Sequence, residues 1–308
     1  MDKPTNTITN NITDNRDGLV NASNSDSASH DPFVTKNSWQ KLRYFTDARI
    51  GLGRAGVSVP TRELLAFQLA HARAQDAVHM NWDVCAFADK LSQHTMIEKY
   101  INSDKNTRVF HLKSQALNRE VYVQRPDYGR LLSPISVASL DAYYDAHQPL
   151  FDLAIVIADG LSARAIDENA MGFLQAWLPL LHRSFPQLSL APISLVQQGR
   201  VAVGDHVGQQ LRAACCLVLI GERPGLSSVN SMGAYLTWAP ALGRSDAQRN
   251  CISNIRKAGL SYGQAADKAH YLFTEARKLK LSGVEIKDRT QEPHALADDA
   301  PPELPRYF

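Results

Sequence analysis

The chain has 308 residues, 44% of them hydrophobic, enough for one large or two ordinary domains with a sizeable core. Its 33 lysines and arginines nearly balance 31 aspartates and glutamates, and a net charge of +2 leaves no electrostatic footprint for nucleic acid or an anionic membrane. No stretch approaches the ~18 consecutive apolar residues that span a bilayer, and residues 1–30 lack the apolar centre of a secretory signal, so export is not expected.

Residues 1–37 are rich in Asn, Asp, Ser and Thr, and carry too few large apolar side chains to offset the entropy of ordering them; they read as a disordered tail. Residues 38–104 read as a helical subdomain. After Ser38 a short helix closes near Gly51, and Pro60 with Thr61 opens a second one on which Leu65, Leu69 and Ala72 share a face. Charged residues such as Asp47, Arg49, Arg54 and Glu63 decorate this region as a solvated surface, and Ser58, Pro60 and Thr61 form a helix start whose free N–H groups suit an anion.

From 105 to 287 the pattern becomes that of an α/β domain. Residues 107–114 alternate as a strand does, and the near-continuous apolar run at 151–160 marks a strand covered on both faces. A helix from Ser162 to about Arg183, strand 190–198, helix 204–214 and strand 215–222 complete a βαβαβ series, hence parallel strands joined by right-handed crossovers. A last helix, Tyr262 to Lys280, presents Ala265, Ala269, Leu272 and Ala276 to the sheet. The fold class is therefore α/β: a Rossmann-like, mostly parallel sheet with flanking helices, preceded by the helical N-terminal subdomain and the disordered tail. Residues 288–308, crowded with charge and proline, read as a flexible C-terminal tail.

The four cysteines, Cys85, Cys215, Cys216 and Cys251, show no C-x-x-C spacing, and the adjacent pair at 215 and 216 points to opposite faces of a strand; reduced thiols in a cytoplasmic setting are expected. The ten histidines form no H-E-x-x-H or comparable metal spacing, and no serine sits in G-x-S-x-G. ADGLS at 158–162 places Gly160 between strand and helix without G-x-G-x-x-G spacing, so it reads as an ordinary strand-to-helix turn. The segment IGERPGLSSVNSMGAYLTWAP at 220–240 is more informative. An apolar run ends there in Gly221, Glu222, Arg223, Pro224 and Gly225, at the carboxyl end of a strand, where open α/β sheets bind ligands. A plain turn with a Glu222–Arg223 surface pair is the alternative.

The blocks at 41–79, 122–132 (YVQRPDYGRLL) and 153–165 (LAIVIADGLSARA), together with 220–240 and RNCISNIR from 249, resemble the light chain of ethanolamine ammonia-lyase over most of residues 39–287. The resemblance implies the small subunit of an adenosylcobalamin-dependent enzyme that converts ethanolamine to acetaldehyde and ammonia by a radical route. It also implies activity only with a heavy chain, a β/α barrel, in a hetero-oligomer. Asp205 and His206 are adjacent and so break the D-x-H-x-x-G signature of base-off cobalamin proteins, which agrees with a base-on cofactor. No catalytic or metal-ligating residue is assigned.

Three positions match the family's cofactor contacts: Val201 beyond the 190–198 strand, Glu222 at the end of the third strand, and Cys251 in RNCISN. Val201 is expected to offer backbone and a small apolar surface. The Glu222 carboxylate would accept hydrogen bonds from corrin amides or a ribose hydroxyl, or else pair with Arg223 or a neighbouring cation. Cys251 would form a polarizable wall, or else be a small buried hydrophobe. Arg200 and Arg223 are candidates to neutralise the nucleotide-loop phosphate and stay outside the expected site. The alternative role is a non-catalytic assembly or targeting subunit that solubilises the heavy chain for a bacterial microcompartment; the N-terminal 30 residues show no clear amphipathic stripe of the kind a cargo signal uses.

Overall fold

The computed structural model describes residues 33–46, 48–94, 100, 109–147 and 150–286; most of the expected N-terminal tail and all of residues 288–308 lie outside the described residues. Two compact units divide between Thr61 and Arg62. In the first, β1 (Val34–Thr35) and β2 (Arg54–Ala55) pair antiparallel around a 3-10 helix, Ser38–Tyr44, whose start is capped by the Asn37 side chain accepting the Trp39 N–H at 2.9 Å. The helix expected to reach Gly51 is thus shorter and tighter. It buries no residue, so no packed apolar stripe is there to extend it.

In the second unit, α1 (Thr61–His79) packs through Ala70 and Ala77, while Leu65 and Leu69 are 59% and 51% exposed. The face that carries Leu65, Leu69 and Ala72 therefore looks to solvent; the packed seam is alanine, whose small side chain lets the helix backbone approach its neighbours. Helix α2 (Val84–Ser92), capped by Asp83, sends Val84, Phe87 and Leu91 into the same apolar core as the sheet.

Six strands form that sheet: β3 (Phe110–Lys113), β4 (Phe151–Ala158), β5 (Ser194–Gln197), β6 (Ala213–Gly221), β7 (Met232–Trp238) and β8 (Arg249–Ile255). Their order is β3-β5-β4-β6-β7-β8; the first four run parallel to one another, and β7 pairs antiparallel with both β6 and β8. The mostly parallel sheet expected from the sequence is present. Strands β7 and β8 have no counterpart among the sequence expectations, because Gly233 and the polar residues of RNCISNI blur their alternation.

The helices are α3 (Arg119–Gln124), α4 (Pro134–His147), α5 (Ala163–Ser184), α6 (Val203–Gln210) and α7 (Tyr262–Leu279). They cover both faces, and the side-chain period of two sorts each central strand between two cores. Leu153, Ile155, Ile157, Cys215, Leu217 and Leu219 face the layer of α2, α5 and α7. Ala154, Val156, Ala158, Cys216, Val218 and Ile220 face the layer of α4 and α6. Cys215 and Cys216 do point to opposite faces, and burial pushes both thiols well above the usual range. Helix α7 buries Ala265, Ala269, Leu272 and Ala276 as the periodicity requires, behind a Ser261–Gln264 capping box. Helix α6 lies close on β6: a Cβ added at Gly204 would stand 2.1 Å from Val218 Cγ2.

Candidate cofactor site

Strands β4 and β5 are neighbours, yet β4 leads into α5 on one face and β5 into α6 on the other. Their outgoing loops separate and leave a crevice beyond the carboxyl ends, the usual ligand position in an open α/β sheet. Gly160 turns the first loop with φ 56, and a Cβ there would stand 2.2 Å from the Gly221 carbonyl oxygen. A Cβ on Gly221 would meet Ser162 O at 2.1 Å, so the loops after β4 and β6 lie backbone against backbone. Ser162 closes the turn as N-cap of α5, accepting from Ala165 N–H at 3.2 Å and donating to Val229 O at 2.8 Å.

The floor of the crevice is a buried polar network. Asp159 ends the β4 run at 1% exposure, and its Oδ1 accepts the Gly199 N–H at 3.1 Å. Arg119, 5% exposed, lies 3.5 Å from Asp159 Oδ2 and donates to Val78 O at 2.6 Å, Gly160 O at 2.8 Å and Gln198 Oε1 at 3.2 Å. Burial outweighs the attraction in both partners: it raises the Asp159 carboxyl to about 6 and lowers the Arg119 guanidinium. Tyr122, fully buried, donates its hydroxyl to Gly199 O at 3.1 Å. Two guanidinium carbons lie over its ring, Arg119 Cζ at 4.8 Å and Arg200 Cζ at 4.3 Å from the centroid. The β5–α6 loop is held from above by Arg200 N–H donating to Gly129 O at 2.7 Å.

Over this floor lies a cavity of ≈ 390 Å³ lined by Tyr122, Gly160, Arg200, Val201, Glu222 and Tyr235, among others. Val201 and Glu222 thus line one cavity. Two further cavities, ≈ 430 and ≈ 450 Å³, adjoin it, and Arg200 lines all three. Glu222 is held by neutral donors and not by Arg223. The Ser231 hydroxyl donates to Oε2 at 2.5 Å and the Asn254 N–H approaches Oε2 at 3.3 Å. That N–H is aimed by an irregularity in the β7–β8 pairing, where Met232 faces Ile255 but Ala234 faces Ile252.

Cys251 does not line this cavity. It is exposed, its Sγ lies 3.2 Å from Ser253 Oγ, and it sits directly opposite Tyr235 in the β7–β8 register. It is therefore not a buried hydrophobe, and it reaches the cavity only through Tyr235, whose phenol is raised by burial first and by Cys251 next. Reasoning from sequence missed Tyr122, Arg119, Asp159 and Tyr235. A carboxylate that follows an unbroken apolar run had to find buried partners, and that signal was available in Asp159.

A family model described as ethanolamine ammonia-lyase light chain (EutC) matches residues 36–287. The chain belongs to that family. Its relatives include the ethanolamine ammonia-lyase small subunits of Pseudomonas aeruginosa strain UCBPP-PA14, 48% identical over 86% of this chain and 92% of the relative, and of Azotobacter vinelandii, 49% identical over 84% and 91%. The small subunit of Xanthomonas campestris pv. campestris is 47% identical over 89% of this chain and 96% of its own length. The crevice of the light chain is thus built within the matched span, since every residue named in it falls between 36 and 287. No helix among the described residues is long and apolar enough to cross a membrane.

Proposed function

We propose that this chain is the small subunit of an adenosylcobalamin-dependent ethanolamine ammonia-lyase, converting ethanolamine to acetaldehyde and ammonia, and that its sheet edge cradles cobalamin against a heavy-chain β/α barrel. The observation that carries the reading is the open cavity at the divergence of β4 and β5, where Val201 and Glu222 meet, in a chain of this family. Cys251 belongs to the outer rim beyond Tyr235. The residues fit the group. Three adjoining cavities give the breadth a flat macrocycle needs, and Glu222, held by a hydroxyl and an amide, remains an acceptor for amide N–H groups. His206 Nδ1 accepts the Leu132 N–H at 3.1 Å, so this histidine is already engaged within the chain.

Bound adenosylcobalamin would supply the radical that removes hydrogen from ethanolamine, through homolysis of its cobalt–carbon bond. This chain's own part is to bind, orient and wall off the cofactor: Arg119 and Asp159 fix the loops, and Glu222 and Val201 meet the ligand. Leu65 and Leu69, exposed on α1, support an association that covers apolar surface. The testing experiment follows acetaldehyde from ethanolamine and adenosylcobalamin with this chain alone, the heavy chain alone, and both. Turnover is expected only from the pair. Absence of turnover from a folded, associated pair would overturn the reading in favour of an assembly subunit.

A further inference from the structure

Among the buried residues of helix α5, Asn169 is the one amide, 1% exposed and flanked by the apolar Ala165, Ile166, Ala170 and Phe173. Burial of an amide is unfavourable unless its donors and its acceptor are met, and here all are. Nδ2 donates to Ala165 O and to Asn230 O, each at 2.8 Å, and Oδ1 accepts the Tyr262 hydroxyl at 2.9 Å. The Tyr262 ring reaches across α5 because Gly172 has no side chain: a Cβ there would stand 2.5 Å from Tyr262 Cε2. With the hydroxyl donating to Oδ1, the amide is turned so that its N–H groups face the Asn230 carbonyl.

That carbonyl and the Ser231 N–H belong to one planar peptide unit, so holding the first fixes the plane from which Ser231 departs. Ser231, 7% exposed, meets Glu222 twice: its hydroxyl donates to Oε2 at 2.5 Å and its carbonyl accepts the Glu222 N–H at 2.9 Å. Helix α5 grips the same stretch at two further points. The Ser162 hydroxyl donates to Val229 O at 2.8 Å, and Glu168 Oε2, on a side chain steadied by Arg164 at 2.6 Å, accepts from Asn230 Nδ2 at 2.5 Å. Of the three, only the Asn169 contact acts on the peptide directly before Ser231.

We propose that Asn169 is a positioning residue for Glu222: by holding the Asn230 carbonyl it sets the Ser231 peptide and, through the Ser231 hydroxyl, the direction in which the Glu222 carboxylate meets the cofactor. The inference rests on the cofactor reading above. Asn169 itself touches no ligand, since it lies behind the loop and does not line the cavity.

The test is a double-mutant cycle read as cobalamin affinity of the two-chain complex by equilibrium dialysis. Asn169→Leu, which keeps the volume and removes the hydrogen bonds, is expected to weaken binding about threefold, the weight of one neutral hydrogen bond. In a Glu222→Ala background the same substitution is expected to change nothing, because the carboxylate it positions is gone. Should Asn169→Leu not fold, Tyr262→Phe takes its place in the cycle: it removes only the hydroxyl that orients the amide, and about a twofold loss with the same dependence on Glu222 is expected. Equal losses in both backgrounds would assign Asn169 to packing of α5 alone, and no loss in either would remove it from the site; both results overturn the inference and leave the cofactor reading intact. If Glu222→Ala by itself leaves the affinity unchanged, the reading of Glu222 as a cofactor contact fails and takes this inference with it.

Discussion

Arg119 and Asp159 lie 3.5 Å apart beneath the crevice, each almost fully buried, and together they tie α3 to the carboxyl end of β4. Each is needed because of the other. Removing Arg119 leaves Asp159 with backbone N–H groups of Gln198, Gly199 and Gly160 and no countering charge from that side chain, and such breakage of a buried pair costs about 3–5 kcal/mol. Arg119→Met is therefore expected to lower unfolding free energy by that order at pH 7.5, and by less at pH 5, where the carboxyl is protonated. Urea denaturation at the two pH values measures this; an equal loss at both would show that the charge is not what matters.

Asp159 also sets a pH dependence of its own. Its carboxyl is raised from an ordinary value of 3.8 to about 6 in the folded chain, so the folded state holds the proton more tightly than the unfolded state. The stabilisation from protonation is full below about 4 and is lost as pH rises through about 6, an effect of up to about 3 kcal/mol. Asp159→Asn should flatten that part of the stability profile between pH 4 and 6. Denaturation midpoints across this window that still fall as steeply as in the unaltered chain would refute the assignment.

Glu222 acts on binding more than on turnover in the proposed role. Glu222→Ala should weaken cobalamin affinity by about tenfold, the equivalent of one charged hydrogen bond, with turnover at saturating cofactor nearly unchanged. Ser231→Ala, which releases the carboxylate from its hydroxyl partner, should change affinity in the same assay by less. A large loss of saturated turnover at unchanged affinity would assign Glu222 to the chemistry instead.

The contact between α6 and β6 offers a test of the fold itself. Gly204→Ala places a methyl group 2.1 Å from Val218 Cγ2, and overpacking of this kind costs about 1–3 kcal/mol. Val218→Ala in the same chain should return part of that loss. Thermal unfolding of the single and double variants gives the coupling, and strict additivity would mean that the two side chains do not meet.

The sequence by itself determined the layers. FDLAIVIA can only be a strand covered on both faces, and the pairing of Cys215 with one core and Cys216 with the other follows from a period of two. The packed face of α7 and the start of α5 at Ser162 were legible for the same reason, since each is set by neighbours along the chain. The position of Glu222 at a strand end was legible too. Its partners were not: proximity in sequence suggested Arg223, whereas Ser231 and Asn254 reach it across the antiparallel turn and the irregular β7–β8 pairing. Nor could one chain position announce that Arg119, Asp159, Gln198 and Tyr122 would converge, because they come from three separate loops and helices that only strand order brings together. Local pattern decides which face of an element is apolar; which polar groups meet at the end of a sheet is decided by the order of the strands, and that order is a property of the whole packed core.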